Sequence, residues 1–293
     1  MSEAVYFENF STNLLIGSPL RSTISIRYLS ICKRLNKDFW GLDDNTTGGR
    51  YIGSFGRNTA TGWVSDIDML FEMPRTLYQS YNSYIGNGQS AFLQAVKNAI
   101  AKTYPNTTLK GDGQIVSIKF TDGMEIEVLP VFKNDDGSYT FADSNGGGSW
   151  KTTNPIPEIN TIGSGDIATN YNLRPLCRMT RAWKDNCHVP IKGLLIDTLA
   201  YRFLTNWEHR NKSYLYYDLM CRDFFEYLKN QPQNQLTWSA IGSYQTINNP
   251  ENFQYKSTIA YNKAKEAIKY QNDSMEWSAK QKWKEIYGNR FPN

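Results

Sequence analysis

The sequence predicts an α+β fold with two lobes, a mixed-sheet lobe followed by a helical one, with a cleft between them. Two observations support this. In the segments SDIDMLF, QIVSIKF and MEIEVLPVF apolar and polar residues alternate, as in half-buried strands, whereas from residue 171 onward apolar residues recur at helical spacing. A chain of 293 residues can give each lobe its own core. We therefore expect the sheet lobe, with an N-terminal helix, over residues 1–160 and the helical lobe over 161–293.

Helical spacing also marks the first part of the chain. Residues 11–42 are predicted to form one long helix, interrupted near Gly17 and Pro19. A second helix is predicted between residues 78 and 104, where the apolar residues of the Ser90 to Ile100 part share one face. Residues 133–170 are rich in Gly, Asn, Asp and Ser, which predicts a mobile loop that crosses to the second lobe.

The second half of the chain is predicted to be mainly helical. Its helical segments are LCRMTRAW, IKGLLIDTLAYRFL, YLYYDLMCRDFFEYL and STIAYNKAKEAIKYQ. We expect most aromatic residues of this half to lie in the core, and the lysines near the end of the chain to form a solvated helical face.

Asp66 and Asp68 are the first candidates for chemistry. In the segment SDIDML the residues alternate, so the two aspartates lie on one face of a strand and Ile67 and Met69 on the other. Residues two apart on a strand are about 6–7 Å apart at Cα. Both carboxylates can then reach shared Mg²⁺ ions, which prefer oxygen ligands, and two such ions about 4 Å apart can assist a phosphoryl displacement.

A second acidic strand can complete this metal site. QIVSIKF (114–120), a TDG turn and MEIEVLPVF (124–132) together predict a β-hairpin. Glu125 and Glu127 share one face of its second strand. If the hairpin pairs beside the aspartate strand, one of these glutamates supplies a third carboxylate.

The turn at Gly53 and Ser54 is a candidate phosphate site. Glycine allows the backbone to approach a ligand closely. Backbone N–H groups in such a turn form an anion-binding nest, to which the Ser54 hydroxyl adds a donor. The turn precedes the aspartate strand, so phosphates and metal ions would be bound side by side.

Taken together, the segments GSFGRNT, SDIDML and EVLPVF resemble the DNA polymerase β-like nucleotidyltransferase superfamily. Within it, the chain is most similar to the bacterial cGAS/DncV-like nucleotidyltransferases, the CD-NTases, which carry a SMODS domain. The resemblance implies a nucleotidyltransferase palm, with an N-terminal helix that braces both lobes. It places Glu127, just before Val-Leu-Pro, at the third-acid position, where the family more often has Asp. The longer side chain must fold back, and Glu125 remains the alternative.

The resemblance also implies residues that contact the nucleotide. Arg181 falls where relatives often have a phosphate-contacting lysine, and arginine can fill that role with a forked geometry. Trp150 lies where relatives place residues near the nucleotide. The predicted nucleotide-binding residues are Gly53, Ser54, Arg57, Arg181, Lys184 and, as a base contact, Asn154.

By resemblance, the chain joins nucleoside triphosphates into a cyclic di- or trinucleotide second messenger and releases pyrophosphate, using two Mg²⁺ ions for which Mn²⁺ may substitute. The product would activate an effector protein in antiphage (CBASS) signalling, under the control of regulatory partner proteins. Two alternatives stay open. The chain could be a linear oligonucleotide synthetase or nucleotide-adding polymerase of the same superfamily, or a catalytically silent nucleotide-binding module.

Composition bears on whether the protein needs a nucleic-acid activator, a structural zinc ion or a membrane. The net charge of +4 is mild and demands no nucleic-acid activator. None of the four cysteines forms a C-x-x-C pair and the two histidines are not spaced as in a zinc finger, so no structural zinc is expected. Scattered cysteines without a signal peptide suggest the cytoplasm. No apolar run approaches about 18 residues, so we expect no membrane span.

Overall fold

A computed structural model describes residues 3–293. The helices are α1 Glu3–Asn13, α2 Ser18–Leu35, α3 Gly53–Gly56, α4 Arg75–Asn82, α5 Gly88–Ala101, α6 Pro155–Ala168, α7 Leu173–Cys187, α8 Gly193–Leu204, α9 Tyr217–Lys229, α10 Gln254–Asn272 and α11 Glu276–Tyr287. The strands are β1 Gly49–Tyr51, β2 Asp66–Glu72, β3 Thr108–Asp112, β4 Ile115–Lys119, β5 Glu125–Lys133, β6 Tyr139–Asp143, β7 Ser149–Thr153, β8 Thr237–Ser239 and β9 Thr246–Asn248. Shorter helical turns are Asn36–Trp40, Asn145–Gly147, Tyr214–Tyr216 and Gly288–Arg290.

The chain divides into two compact units, a sheet unit and a helical unit. The sheet unit consists of Ile16–Gly56 and Trp63–Ile156, and the helical unit of the described residues up to Leu15, Arg57–Gly62 and Pro157–Asn293. The main boundary lies four residues before the predicted one after residue 160. The larger difference is that α1 and Arg57–Gly62 lie with the later helices, because their packing partners are far along the chain.

The sheet unit is built on a seven-stranded mixed sheet, as the sequence predicts. Its strand order is β1-β2-β5-β4-β3, and β6 and β7 continue from β5. β2 and β5 are parallel and the other pairs are antiparallel. The predicted hairpin is confirmed as β4 and β5, with Lys119 opposite Glu125, and it lies beside the aspartate strand β2.

Alternation in the two central strands separates the core of the sheet unit from the acidic face. Ile67 and Met69 of β2 are fully buried in a cluster that also contains Ile31 of α2 and Val96 of α5. The helical face of α5 is the one that the apolar spacing predicts. Burial on one side thus fixes the register of β2 and leaves its aspartates on the other side.

The prediction of a mobile loop over residues 133–170 is wrong. Most of this segment forms β6, β7 and the first helix after the sheet, α6. The ring of Trp150 packs 6.0 Å from that of Phe92 and 5.7 Å from that of Phe132, between ring centroids, and its placement near a nucleotide stays a prediction. Its indole N–H donates to Asn82 Oδ1 at 3.0 Å. These aromatic contacts bind the glycine-rich hairpin to the sheet unit.

The single N-terminal helix predicted over residues 11–42 is two helices. The break near Gly17 and Pro19 is confirmed, since α1 ends at Asn13 and α2 begins at Ser18. Pro19 stands in the first turn of α2, where its missing N–H costs no helical hydrogen bond. Only α2 belongs to the sheet unit.

Aromatic residues hold the helical unit together. The rings of Phe7 and Trp283 are 4.9 Å apart and those of Phe10 and Tyr287 are 4.6 Å apart, so α1 packs on α11. The four helical segments predicted after residue 171 are confirmed as α7, α8, α9 and α10. Over residues 3–293, no helix has the length and apolar character needed to cross a bilayer.

One buried carboxyl in the helical unit should make stability depend on pH. Glu3 of α1 is 8% exposed and accepts a hydrogen bond from the Trp283 indole N–H. Burial raises the pKa of Glu3 from 4.5 to about 7; the Trp283 hydrogen bond opposes this rise and Asp218 adds to it. The contribution of protonated Glu3 to the free energy of unfolding is therefore complete below pH 4.5 and is lost as the pH rises through 7.

We expect Glu3→Gln to stabilise the fold at pH 8 relative to the unchanged chain, by up to about 3 kcal/mol, because glutamine accepts the indole hydrogen bond without a buried charge. Urea unfolding at pH 5 and pH 8 measures the difference. Glu8→Gln, at an exposed position of the same helix, is the matched control. An equal effect of Glu3→Gln at both pH values would contradict the prediction.

Candidate active site

Four carboxylates meet where β2 and β5 run parallel. Asp66 lies opposite Glu125, and Asp68 lies opposite Glu127. Neighbouring strands are about 4.8 Å apart, and residues two apart share a face. The four side chains therefore form a square on one face of the sheet, while the residues between them are buried on the other.

The carboxylates perturb one another. Burial, followed by the charge of Asp68, raises the pKa of Glu127 to about 7. Glu125 and Asp66 act in the same direction, and Glu127 is hydrogen-bonded to Asp68. Like charges this close disfavour full ionisation, so Glu127 holds a proton near neutral pH when no cation is present. A cation bound here would displace that proton.

Two serines donate hydrogen bonds to Asp66 and Glu125, the outer pair of carboxylates at the start of β2 and β5. The Ser65 hydroxyl donates to Asp66 Oδ1 at 2.9 Å. The Ser117 hydroxyl donates to Glu125, from a position directly opposite Glu127 on β4. The Glu125 carboxylate is thus directed toward β4, whereas Glu127 is directed toward Asp68.

The Gly53 turn lies directly against Asp68. Gly53 has a φ of +59°, a left-handed conformation that favours glycine. A Cβ at this position would overlap the Asp68 carboxylate. The backbone N–H of Ile52 donates to the carbonyl of Asp68 at 3.0 Å, and Ser54 follows in the first turn of α3. Both the residue type and the backbone path therefore place the Gly-Ser turn beside the acidic face.

The residues present suit a hard cation. The square offers only oxygen donors, which Mg²⁺ and Mn²⁺ prefer. In the structure Asp68 and Glu127 converge, while Asp66 is turned to Ser65, and no three His, Cys, Asp or Glu side chains within residues 3–293 are grouped closely enough to hold a metal. A rotation of Asp66, which is exposed, would bring the third carboxylate to the other two.

Arg57 and Arg181 lie in the helical unit, where both bind Asp197 of α8. Arg181 donates to the two Asp197 oxygens at 2.6 and 2.9 Å, and Arg57 Nε donates to Oδ2 at 2.8 Å. The Thr59 hydroxyl donates to the same carboxylate at 2.9 Å, and Arg57 also pairs with Glu158 at 3.3 Å. This buried ion cluster fixes the segment that follows the Gly-Ser turn.

Asp197 is fully buried, and its pKa is lowered to about 2 because the attraction of Arg181 and Arg57 exceeds the effect of burial. Arg57 and Arg181 are 5% and 8% exposed. Their predicted phosphate contacts stay predictions, as do those of the two remaining candidates. Lys184 lies half-buried in the last turn of α7, and Asn154 lies between β7 and α6.

The sequence profile of the Second Messenger Oligonucleotide or Dinucleotide Synthetase (SMODS) domain matches residues 1–164. The chain belongs to the SMODS family. The matched region of this SMODS protein contains the Gly-Ser turn and all four carboxylates.

One curated relative of this SMODS chain is a probable cyclic nucleotide synthase of Bacillus cereus (strain VD146). The two are 22% identical over 177 residues, which is 57% of this chain and 51% of the relative. The chain therefore spans about half the length of the curated relative that it matches.

Solved structures establish the fold. The CD-NTase CdnG of Bradyrhizobium diazoefficiens, in complex with GTP, superposes with a TM-score of 0.70 at 10% identity, over 98% of this chain and 95% of that one. CdnC of E. coli MS115-1, in a CdnC:HORMA-deltaN complex, gives 0.66 at 15% identity over 98% of both chains. The SMODS chain thus has the CD-NTase form of the polymerase β-like fold.

Two residues that organise this SMODS protein, Ser117 and Asp197, were not predicted from the sequence. Ser117 could have been found, because the alternation in QIVSIKF puts it on the same face as the glutamates of the next strand. Asp197 gave no such signal. It is one acid in the helical run IKGLLIDTLAYRFL, and its ion-pair partner Arg57 lies 140 residues earlier.

Glu127→Gln should impair the SMODS protein far more than Glu125→Gln, by about a hundredfold or more in turnover, because Glu127 converges with Asp68 and Glu125 is held by Ser117. Initial rates of product formation with purified variants measure the difference. The two variants are matched, since each removes one charge from the same face of β5. The reverse ranking would move the third acid to Glu125.

Proposed function

We propose that this protein is a metal-dependent nucleotidyltransferase that joins nucleoside triphosphates into a cyclic di- or trinucleotide and releases pyrophosphate. The observation that carries the proposal is the register that sets Asp68 opposite Glu127 and against Gly53. A phosphate-binding turn directly beside converging carboxylates suits phosphoryl transfer, where catalysis is mostly positioning and charge stabilisation.

In this proposal Asp66, Asp68 and Glu127 hold two Mg²⁺ ions, for which Mn²⁺ can substitute. When bound, the ions supply positive charge for the attacking ribose hydroxyl and for the departing pyrophosphate. Asp66 and Asp68 would supply carboxylate ligands to both ions, and Glu127 would supply the third carboxylate. Ser65 and Ser117 orient the acidic face by hydrogen bonds to its outer carboxylates.

The nucleotide contacts are assigned by position. Gly53 and Ser54 bind the triphosphate through the backbone N–H groups and hydroxyl of the turn. Lys184 and Asn154 are proposed as phosphate and base contacts. Arg57 and Arg181 are proposed to contact phosphate only through N–H groups beyond those that bind Asp197 and Glu158.

The proposed substrates and protein partners rest on similarity to solved structures. CdnG was solved with GTP and CdnC in a complex with a HORMA protein. We propose nucleoside triphosphates as substrates here, a regulatory protein as a partner and an effector protein that the product activates, in antiphage signalling of the CBASS type. The bases joined would be set by contacts in the cleft that the resemblance implies.

One experiment tests the reaction. Purified protein is incubated with each of the four labelled nucleoside triphosphates, singly and mixed, with Mg²⁺ or Mn²⁺, then treated with phosphatase and chromatographed. A labelled product that resists phosphatase supports a cyclic nucleotide. Products that lose their terminal phosphates would indicate a linear oligonucleotide synthetase, and no product under any condition would indicate a silent nucleotide-binding module.

Synthesis should require no added DNA or RNA. The net charge is only +4, and the sequence has neither a C-x-x-C pair nor histidines spaced as in a zinc finger. Rates measured with and without duplex DNA, at low and high salt, should agree within about twofold. Activity that appears only with duplex and falls steeply with salt would contradict this expectation.

A further inference from the structure

A cavity in the helical unit belongs to none of the machinery described above. It lies where α7 ends against α10 and α11 and has a volume of about 320 Å³, near the lower limit of small-molecule sites. It is lined by Trp183, Asn186, Cys187, His188, Lys256, Ile259, Ala260, Lys263, Glu285 and Ile286. All of these residues come from the helical unit.

The floor of the cavity is apolar and rigid. Trp183 and Ile286 are 0% and 1% exposed, and Ala260 is 2% exposed. The Trp183 ring is fixed by an edge contact with Phe225, with ring centroids 5.1 Å apart. Ile259, which is 36% exposed, is the apolar lining residue that a ligand could cover.

The rim is basic. Lys256 and Lys263 are seven residues apart on α10 and so lie on one face, two turns from each other. Lys263 pairs with Glu285 at 3.2 Å, whereas Lys256 makes no ion pair with any residue in 3–293. Both lysines lie near the half-buried Cys187, since their charges oppose the rise in pKa that burial causes for its thiol. The rim therefore offers one uncompensated cation.

The helix end adds a third basic group. His188, the residue after α7, has a φ of +50°, in the left-handed region where glycine is usual. Its side chain is exposed at the cavity. This geometry is common directly after a helix, and it leaves the His188 side chain at the edge of the cavity.

We propose that this cavity is a binding site for a small molecule with a flat apolar body and one acidic group, a carboxylate or a phosphate. The apolar body packs against Ile259, the exposed apolar residue of the lining, and the acidic group pairs with Lys256. Charge complementarity selects this ligand, because an apolar floor would bind neutral molecules equally well but the unpaired lysine favours an anion. The site is separate from the acidic square, so the inference does not depend on the proposed reaction.

Binding is tested with 1-naphthyl phosphate and 1-naphthoate as probes, by calorimetric titration of the complete chain. Both should bind, and the better of the two identifies the acidic group. The affinity for neutral 1-naphthol should be lower by a factor of about ten or more, because 1-naphthol cannot form a charge-assisted hydrogen bond. Inorganic phosphate alone should bind more weakly still, because it cannot use the floor.

Two lysine substitutions test whether the probe binds in the cavity. Lys256→Ala should weaken binding of the phosphate probe by about tenfold or more, whereas Lys265→Ala, on the same helix but outside the cavity, should not change it. Cys187 gives a second measurement, since the other three cysteines are buried. Its alkylation by iodoacetamide, followed by mass spectrometry, should slow as the probe saturates.

Four results would overturn the proposal. They are the absence of probe binding at millimolar concentration, equal binding of 1-naphthol, equal loss in Lys256→Ala and Lys265→Ala, and alkylation of Cys187 that the bound probe does not slow. Melting curves of both lysine variants confirm that each is folded before its binding is compared.

Discussion

Asp68→Asn is expected to reduce product formation by about a thousandfold or more while the fold is retained. Asp68 is at the centre of the site, because it lies opposite Glu127 and its carboxylate fills the space that the missing side chain of Gly53 leaves. Asparagine has nearly the same shape but cannot supply the charge that Mg²⁺ or Mn²⁺ requires from its ligands.

The same substitution should leave metal-free stability unchanged or raise it, because it removes a negative charge that raises the pKa of Glu127. Melting temperature without metal and initial rates with metal measure the two effects. Glu72→Gln, at the other end of the same strand and on the same face, is the matched control and should retain full activity. Unchanged turnover in Asp68→Asn would refute the proposed metal site.

Asp197→Asn is expected to have the largest effect on stability, a loss of about 3–5 kcal/mol. The substitution leaves Arg57 and Arg181 buried without the carboxylate that both contact. Removing one partner of a buried ion pair costs far more than the pair itself contributes, because the remaining charge is left without water, and here Arg57 keeps only Glu158 as a counter-charge.

Urea unfolding at pH 7 measures this loss, with Asp273→Asn at the exposed end of α10 as the control. Arg181→Met should destabilise the Asp197→Asn variant less than it destabilises the unchanged chain, since one uncompensated charge is then removed. If Asp197→Asn costs less than about 1 kcal/mol, the cluster is not the buried ion network described here.

The acidic face could be predicted because its information is local. Alternation in SDIDML and MEIEVLPVF gives the face of each acid, and the two segments needed only to become neighbours in one sheet. Gly53 was predicted as a backbone requirement, and the structure adds its specific reason, the Asp68 carboxylate at the position of a Cβ.

The hairpin and the buried ion cluster could not be predicted, because both depend on contacts between residues that are far apart in the sequence. The glycine-rich segment looks like a loop, but the pairing of β6 with β7 and the packing of Trp150 on Phe92 and Phe132 hold it as a hairpin. Arg57 and Arg181 carry the same charge whether they contact a phosphate or Asp197, so residue type alone could not assign the buried ion cluster.

The two compact units are interleaved along the chain, and this constrains how the protein can be made. A fragment ending at Ile156 would carry Phe7 without Phe291, whose ring centroid lies 5.3 Å from its own. It would also carry Arg57 without Asp197. Cutting the chain after the sheet would therefore leave both pieces incomplete. During synthesis helix α1 emerges long before α11 and Phe291, on which its aromatic residues pack, so its burial is completed only after those later residues have been made.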